Sequence, residues 1–290
     1  MWEFKNIPKI VHFYWGCNKV FSYLRYLTIK SFRKFNPDWE IFLHLPTYPC
    51  TKDPTWNSGE QTGISPSIDY LNKVQDLDVS IIYHDFKKYG FFNDAHEVHK
   101  ADFIRWQLLS DLGGVWSDVD IIYVAPMGDM LDNTPENSDA TIAFCTYPGG
   151  AHTLGFLMSS TGNPLFAKIA TIALKVFNPE RYQGIGTDIL NRFLSRVLLD
   201  KFNNFNMDII FLDYRSVYSI NYENNGISKF FNINYTHKKT KGEIGYHWYG
   251  GSPMSQQYEA MVIEENYLDF KNALSGFIAE SYSNQAERQI

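Results

Sequence analysis

Residues 95–124 read AHEVHKADFIRWQLLSDLGGVWSDVDIIYV, and the change of rhythm inside this stretch decides the fold. Over Ala95–Leu112, the residues Val98, Ile104, Leu108 and Leu112 fall close to an i, i+4 ladder, which predicts a helix. Gly113-Gly114 supplies its stop, since glycine tolerates the left-handed conformation that a helix end needs. Val115–Val124 then predicts a strand interrupted by two carboxylates, Asp118 and Asp120.

Upstream, Lys9–Trp15 (KIVHFYW) predicts a buried first strand that ends at Gly16. Val20–Phe35 predicts a helix with Leu24, Leu27, Ser31 and Phe35 near one face and Arg25, Lys30, Arg33 and Lys34 largely on the others. Asn36-Pro37-Asp38 stops it, and Trp39–Leu45 predicts a second strand. Strand, helix and strand within about 40 residues is the signature of a βαβ unit and a parallel sheet. Pro46–Ser67 reads as a long surface excursion, and Val79–Tyr83 returns as a strand.

Downstream lie strands at Ala140–Cys145, Thr153–Met158 and Asp208–Leu212, and helices at Pro164–Phe177 and Thr187–Leu199. Asn221–Gly245 is polar and irregular, and one last amphipathic helix is predicted over Tyr258–Ile278. The alternation says α/β.

Composition narrows the function. The 290 residues carry 26 Lys+Arg against 32 Asp+Glu, a net charge of −6, with no long basic run. That balance argues against nucleic-acid binding through phosphate neutralisation. Cys17, Cys50 and Cys145 are odd in number and widely spaced, so they predict neither a disulfide framework nor a zinc knuckle and suit a reducing compartment. No window holds the roughly 18 apolar residues that a membrane span needs, which leaves only peripheral membrane contact open. The N-terminal stretch lacks the features of a signal peptide, and the expected location is cytoplasmic. Aromatic residues make up 17% of the chain, enough to supply stacking platforms as well as core.

Asp118-Val119-Asp120 is the most informative point. In an extended strand its two carboxylates share a face, where one divalent cation could collect oxygens from both and neutralise a diphosphate. Asp76-Leu77-Asp78 has the same spacing but lies in a polar lead-in, whereas Asp118 and Asp120 sit among Val115, Trp116, Val119, Ile121 and Ile122. Charge inside an apolar run is costly unless paired or metal-bound, which favours metal over a solvated turn. Asp102 and Arg105 are three apart on the preceding helix. They read either as a surface ion pair or as cleft residues meeting ligand hydroxyls and oxygens.

His99–Asp120, with its A-x-D-x-x-R, G-G and D-x-D elements in order, resembles the core signature of the D-x-D sugar transferases. That group holds the Och1-like mannosyltransferases, the α1,4-galactosyl- and α1,4-N-acetylglucosaminyltransferases and, more distantly, the glucosylating clostridial toxins. Ile7–Gly16 and Asn36–Ile41 resemble the group's first and second strands. The resemblance implies a GT-A fold: a Rossmann-like, mostly parallel central sheet flanked by helices, with a C-terminal lid and helix. A single domain over residues 1–290 would comprise a nucleotide-sugar half (1–125), an acceptor half (126–245) and a C-terminal flap and helix (246–290).

It also implies a nucleotide-sugar donor, Mn²⁺ or Mg²⁺, and transfer with retention of configuration. By position, Trp15 would stack on the base, although by itself it reads as a core aromatic. Asp102 and Arg105 would bind the donor sugar. Asp118 would contact ribose or sugar and reach the metal through water, and Asp120 would ligate it. His247-Trp248 resembles the group's C-terminal metal or phosphate contact. Asp188, opening a helix after Gly184-Ile-Gly-Thr, is either a reactive-face carboxylate or one favoured by the helix dipole.

The expected activity is therefore a metal-dependent, retaining hexosyltransferase. A UDP-sugar is the first-choice donor and GDP-mannose the second. The acceptor is a glycan or lipid-linked glycan in surface polysaccharide synthesis, which suits a bacterial, phage or large-virus enzyme. Retention could run by a same-face mechanism or through a covalent intermediate on a carboxylate such as Asp188. A non-catalytic carbohydrate-binding protein and a nucleotide-sugar hydrolase are the competing readings.

Overall fold

Successive residues of the strands feed two different apolar cores, which requires a sheet covered on both faces. In Gly114–Ser117, for example, Val115 joins one core and Trp116 the other. The computed structural model describes residues 4–17, 19–52, 64–91, 95–133, 139–147, 150–193, 208–220, 222 and 225–282. The strands are β1 (Ile10–Tyr14), β2 (Glu40–Pro46), β3 (Ser80–His84), β4 (Gly114–Ser117), β5 (Ile121–Tyr123), β6 (Ile142–Thr146), β7 (His152–Ser159), β8 (Ile209–Asp213) and β9 (Gly245–His247). Seven of them form the main sheet in the order β3-β2-β1-β4-β7-β6-β8, and β5 and β9 form a second, two-stranded sheet. Within the main sheet only β7 runs against the rest. This is the mostly parallel central sheet that the sequence leads one to expect.

Helix α1 (Tyr23–Phe35) covers one face and α2 (Glu97–Asp111), α3 (Pro164–Val176) and α4 (Thr187–Phe193) the other. Ser22 caps α1 by accepting from the Arg25 amide, and Asn36-Pro37 ends it as the sequence indicates. Most of α1 is buried, including Tyr23, Tyr26, Thr28, Ile29 and Phe32, so its apolar face is far wider than the ladder of Leu24, Leu27, Ser31 and Phe35. α2 stops where Gly113 takes φ +69°. Further elements are α5 (Arg215–Tyr218), α6 (Gly226–Phe230), α7 (Pro253–Met261) and α8 (Ala273–Tyr282).

The expected Tyr258–Ile278 helix is thus two helices. Asn266 Oδ1 accepts from the Ile263 amide and Asn272 Oδ1 from the Ser275 amide, and Lys271 takes φ +50°. These side chains satisfy backbone donors locally and divert the chain from a continuous helix. The single strand expected over Val115–Val124 is likewise two, β4 and β5, in different sheets. The predicted helix Thr187–Leu199 is α4 over Thr187–Phe193, and residues 194–199 lie outside the described set, as do 53–63 of the Pro46–Ser67 excursion. Among the described residues no helix is long and apolar enough to cross a membrane, and no disulfide joins Cys17, Cys50 and Cys145.

A polar thread crosses the first three strands. His12 Nε2 faces the Gly113 carbonyl at 3.0 Å, His12 Nδ1 faces His44 Nε2 at 3.0 Å, His44 Nδ1 faces His84 Nε2 at 2.8 Å, and His84 Nδ1 faces the Tyr89 hydroxyl at 3.0 Å. A carbonyl only accepts, so His12 must donate from Nε2, and neutrality then sets every other tautomer, with Tyr89 donating at the far end. Burial pushes His12 and His84 down to about 4 and His44 well below its ordinary value. Their folded pKa values lie below the unfolded one, so the unfolded chain binds protons first as the pH drops. Their stabilisation is therefore whole above about pH 6.5 and lost towards pH 4, with His12 alone accounting for about 3 kcal/mol. The imidazole resonances of His12, His44 and His84 should accordingly stay at neutral-ring shifts at about pH 5 in the folded protein, where free imidazole is charged. A ring titrating near 6.5 would contradict this wiring.

Candidate active site

β1 and β4 are parallel neighbours, and their carboxyl ends deliver Trp15 and Asp118 to one cleft, as open α/β sheets do. The cleft, about 1040 Å³, is lined by Trp15, Arg25, Glu97, Asp102, Arg105, Asp118 and Asp120, among others.

After Ser117 the chain leaves the main sheet. The Asp118 amide donates to Gly155 O at 2.8 Å, and Thr28 Oγ1 holds Val119 O at 3.1 Å. Ser117 and Tyr123 join hydroxyls across the turn at 2.7 Å. β5 then pairs antiparallel with β9, with Ile121 opposite His247, and the Trp248 amide donates to Asp120 O at 2.9 Å. That register seats His247 beside Asp120, from 127 residues away in the chain (247 minus 120). One ligand atom from each of Asp118, Asp120 and His247 lies within 4.8 Å of the others. The carboxylates converge through this turn, not by sharing the face of an extended strand.

The donor set fits a divalent cation. Asp120 Oδ1 and His247 Nε2 stand 3.1 Å apart, yet Asp120 Oδ1 is buried without a properly directed hydrogen bond. Its partner oxygen, Oδ2, accepts from the Gly250 amide at 2.8 Å. Burial pushes Asp120 up, but the charges of His247 and Arg25 and the Gly250 amide outweigh it and hold the carboxyl below its usual range. Burial pulls His247 down, and the Asp120 and Asp118 carboxylates more than reverse that. A cation placed against Asp120 Oδ1 and His247 Nε2 would satisfy both.

Asp102 and Arg105 are buried, at 6% and 4% exposure, so they are cleft residues and not a surface pair. Arg105 Nη1 donates to Asp102 Oδ1 at 2.8 Å, and its Nη2 reaches Asp118 Oδ1 at 3.5 Å. The guanidinium lies 4.7 Å from the Trp116 ring centre, and Trp116 Nε1 donates to the same Asp118 oxygen at 2.9 Å. Burial pushes Asp102 up to about 6, with Arg105 opposing and Asp118 adding to the rise. Gly186 packs so tightly against this carboxylate that any side chain there would overlap it.

The structure brings Trp15, Asp102, Arg105, Asp118 and Asp120 onto the cleft walls, with His247 against Asp120. Trp248 is fully buried with an Arg25 cation over its ring, outside the cleft lining. Asp188 also lies off the lining and pairs with Arg181 on the surface.

Two cleft residues were invisible to periodicity. Arg25 falls on the polar side of the α1 pattern but pairs with Glu259, side-chain exposures being 13% and 7%. Glu97 is buried and accepts from Tyr14 Oη, from the Cys50 amide and from Lys100 Nζ, which ties the loop after β2 to α2. The one signal for Glu97 is a charge in the first turn of an otherwise buried helix.

Residues 25–140 match the family described as glycosyltransferase sugar-binding region containing DXD motif. That span includes Asp102, Arg105, Asp118 and Asp120, while Trp15 and His247 lie outside it. No curated protein matches. Among solved structures the chain is similar to the PaToxG glycosyltransferase, at 21% identity and TM-score 0.43 over 69% of this chain and 75% of that one. It is similar to glycosyltransferase GlyE of Streptococcus pneumoniae TIGR4, at 14% identity and TM-score 0.48 over 96% of this chain and 62% of that one. The galactosyltransferase LgtC, solved with donor and acceptor sugar analogues, gives 13% identity and TM-score 0.42 over 89% and 98%. The chain thus spans less than two thirds of GlyE.

Proposed function

We propose that this chain, a glycosyltransferase by the DXD sugar-binding region it carries, is a metal-dependent, retaining hexosyltransferase that uses a UDP-sugar, with GDP-mannose the second choice, to build surface polysaccharide. The DXD family's chemistry pairs a divalent metal with a nucleotide sugar, and here that metal would be Mn²⁺. The observation that carries the reading is the convergence of Asp118, Asp120 and His247 on one point at the wall of the cleft. Asp118, Asp120 and His247 would hold the ion, which when bound would supply Lewis acidity against the charge on a departing diphosphate.

The chain's own residues do the rest. Trp15, half-buried at the end of β1, offers its ring to the base. Asp102, ionised above about pH 6 and fixed by Arg105, accepts hydrogen bonds from the donor sugar's hydroxyls and holds the ring as it gains positive character. The acceptor, a glycan or lipid-linked glycan, enters over the carboxyl ends of β6 and β8, where Tyr147 and Tyr214 stand with ring centres 5.3 Å apart and Tyr218 packs 4.9 Å from His247. Asp188, paired away from the cleft, gives no support to a covalent intermediate on that residue, which favours same-face transfer with the leaving phosphate taking the acceptor's proton.

Calorimetric titration of UDP and GDP, each with and without Mn²⁺, tests the reading. One nucleotide should bind at least about tenfold more tightly with the metal. Equal binding with and without Mn²⁺ would remove the metal from the reading, and no binding of either would return the protein to carbohydrate binding alone. Donor turnover that glycans do not stimulate would make it a hydrolase.

A further inference from the structure

Arg25 is enclosed by groups from three separate parts of the chain. Its Nε donates to Glu259 Oε1 at 2.6 Å and its Nη2 to Oε2 at 3.3 Å, while Ser22 Oγ donates to the same Oε1 at 2.7 Å. Its guanidinium carbon lies 4.7 Å from the Trp15 ring centre and 5.3 Å from that of Trp248. A Cβ on Gly250 would come within 2.7 Å of Arg25 Nη2, so the guanidinium rests directly on the backbone whose amide donates to Asp120 Oδ2. The same α7 that carries Glu259 grips this backbone through Ser255 Oγ on Trp248 O at 2.7 Å and Gln256 Nε2 on Gly251 O at 2.9 Å. Segment 248–251 and α7 are therefore one unit, fastened to the start of α1 by the Arg25 guanidinium and by the Ser22 hydroxyl, both on Glu259.

We propose that Arg25, held by Glu259, is a positioning residue that couples base binding at Trp15 to cation binding at Asp120 and His247. The proposal rests on the reading that Trp15 stacks on the base. A base on the open side of Trp15 fixes the indole, the stacked guanidinium loses freedom with it, and the Gly250 amide is pinned on Asp120 Oδ2. Oδ1 is then left aimed at the ion beside His247 Nε2. Because the ordering is shared, whichever ligand binds first meets part of the second's ordering cost. A Lys at position 25 keeps the charge but loses the plane and the fork, so it cannot transmit this coupling.

A nucleoside separates this route from the trivial one, because a nucleotide's phosphates ligate the metal themselves and a nucleoside has none. Mn²⁺ is titrated against the full-length protein by electron paramagnetic resonance of the free ion, with and without uridine or guanosine. The nucleoside that binds should lower the Mn²⁺ Kd at least about fivefold, and Mn²⁺ should lower the nucleoside Kd by the same factor. In Arg25→Lys and Glu259→Gln the factor should fall below about two, while each ligand alone still binds, which also shows that the variants are folded. A coupling factor of one in the wild type, or an undiminished factor in both variants, would overturn the proposal and leave the transferase reading intact. Failure of both nucleosides to bind the wild type would overturn base stacking at Trp15 and the coupling with it.

Discussion

Asp120→Asn should lower sugar transfer at least about 1000-fold, equivalent to about 4 kcal/mol of transition-state stabilisation, and should abolish metal-dependent nucleotide binding. The substitution is nearly isosteric and keeps an oxygen to accept from the Gly250 amide, so the turn between β4 and β5 is retained. What it removes is the negative charge facing His247 and the buried carboxylate oxygen of Asp120 that has no hydrogen-bond partner, the proposed ligand atom. Asp118→Asn should cost less, because the Asp118 carboxylate is shared with Trp116 Nε1 and Arg105 Nη2 and is about a third exposed. Initial rates and calorimetry on the two variants, with circular dichroism to show an unchanged fold, check this. An Asp120→Asn protein within tenfold of wild type would place the ion elsewhere.

Arg105→Met should both destabilise the fold and move its pH dependence. Arg105 is the only cation in direct contact with Asp102 among the described residues, and it also reaches Asp118. Removing one member of a buried pair leaves an uncompensated charge, a loss of about 3–5 kcal/mol that urea denaturation at neutral pH would register. Asp102 relieves part of that loss by taking up a proton. Its pKa is already raised to about 6 by burial, and without the guanidinium it must rise further. In the proposed reading the ionised form accepts from sugar hydroxyls, so activity should fall below about pH 6 in the wild type, and this acid limb should move to higher pH in Arg105→Met. Arg105→Lys should fall between the two, keeping the charge but losing the two-pronged contact and the stack on Trp116. An unmoved limb in both variants would mean that Asp102 is not the group that titrates.

The α/β class and the main strand and helix order through residue 112 were legible because each rests on local rules. Alternation and ladders mark β1, α1, β2 and α2, and Gly113-Gly114 marks where α2 must end. The C-terminal region was less legible. The break between α7 and α8 depends on Asn266 and Asn272 choosing backbone partners, which hydrophobic periodicity does not sense. Val115–Val124, read as one strand interrupted by two carboxylates, is two strands because β4 pairs with β1 and β7 while β5 pairs with β9, and the apolar composition of the two is alike.

For the site, residue type and context pointed to Asp118 and Asp120, since charge in an apolar run is costly and must be compensated, whereas spacing left Asp102 and Arg105 open and only the resemblance assigned them to the cleft. By itself the sequence determined which residues need a partner. Only the tertiary structure decided who the partners are. His247 meets Asp120 through the antiparallel register of β5 and β9, Arg25 meets Glu259 and two tryptophans through the docking of α7 on α1, and Asp188 turns to Arg181 instead of the cleft. The reason is physical: burial and periodicity act over a few residues of chain, whereas pairing between distant segments is set by how whole elements pack, and no local pattern encodes that.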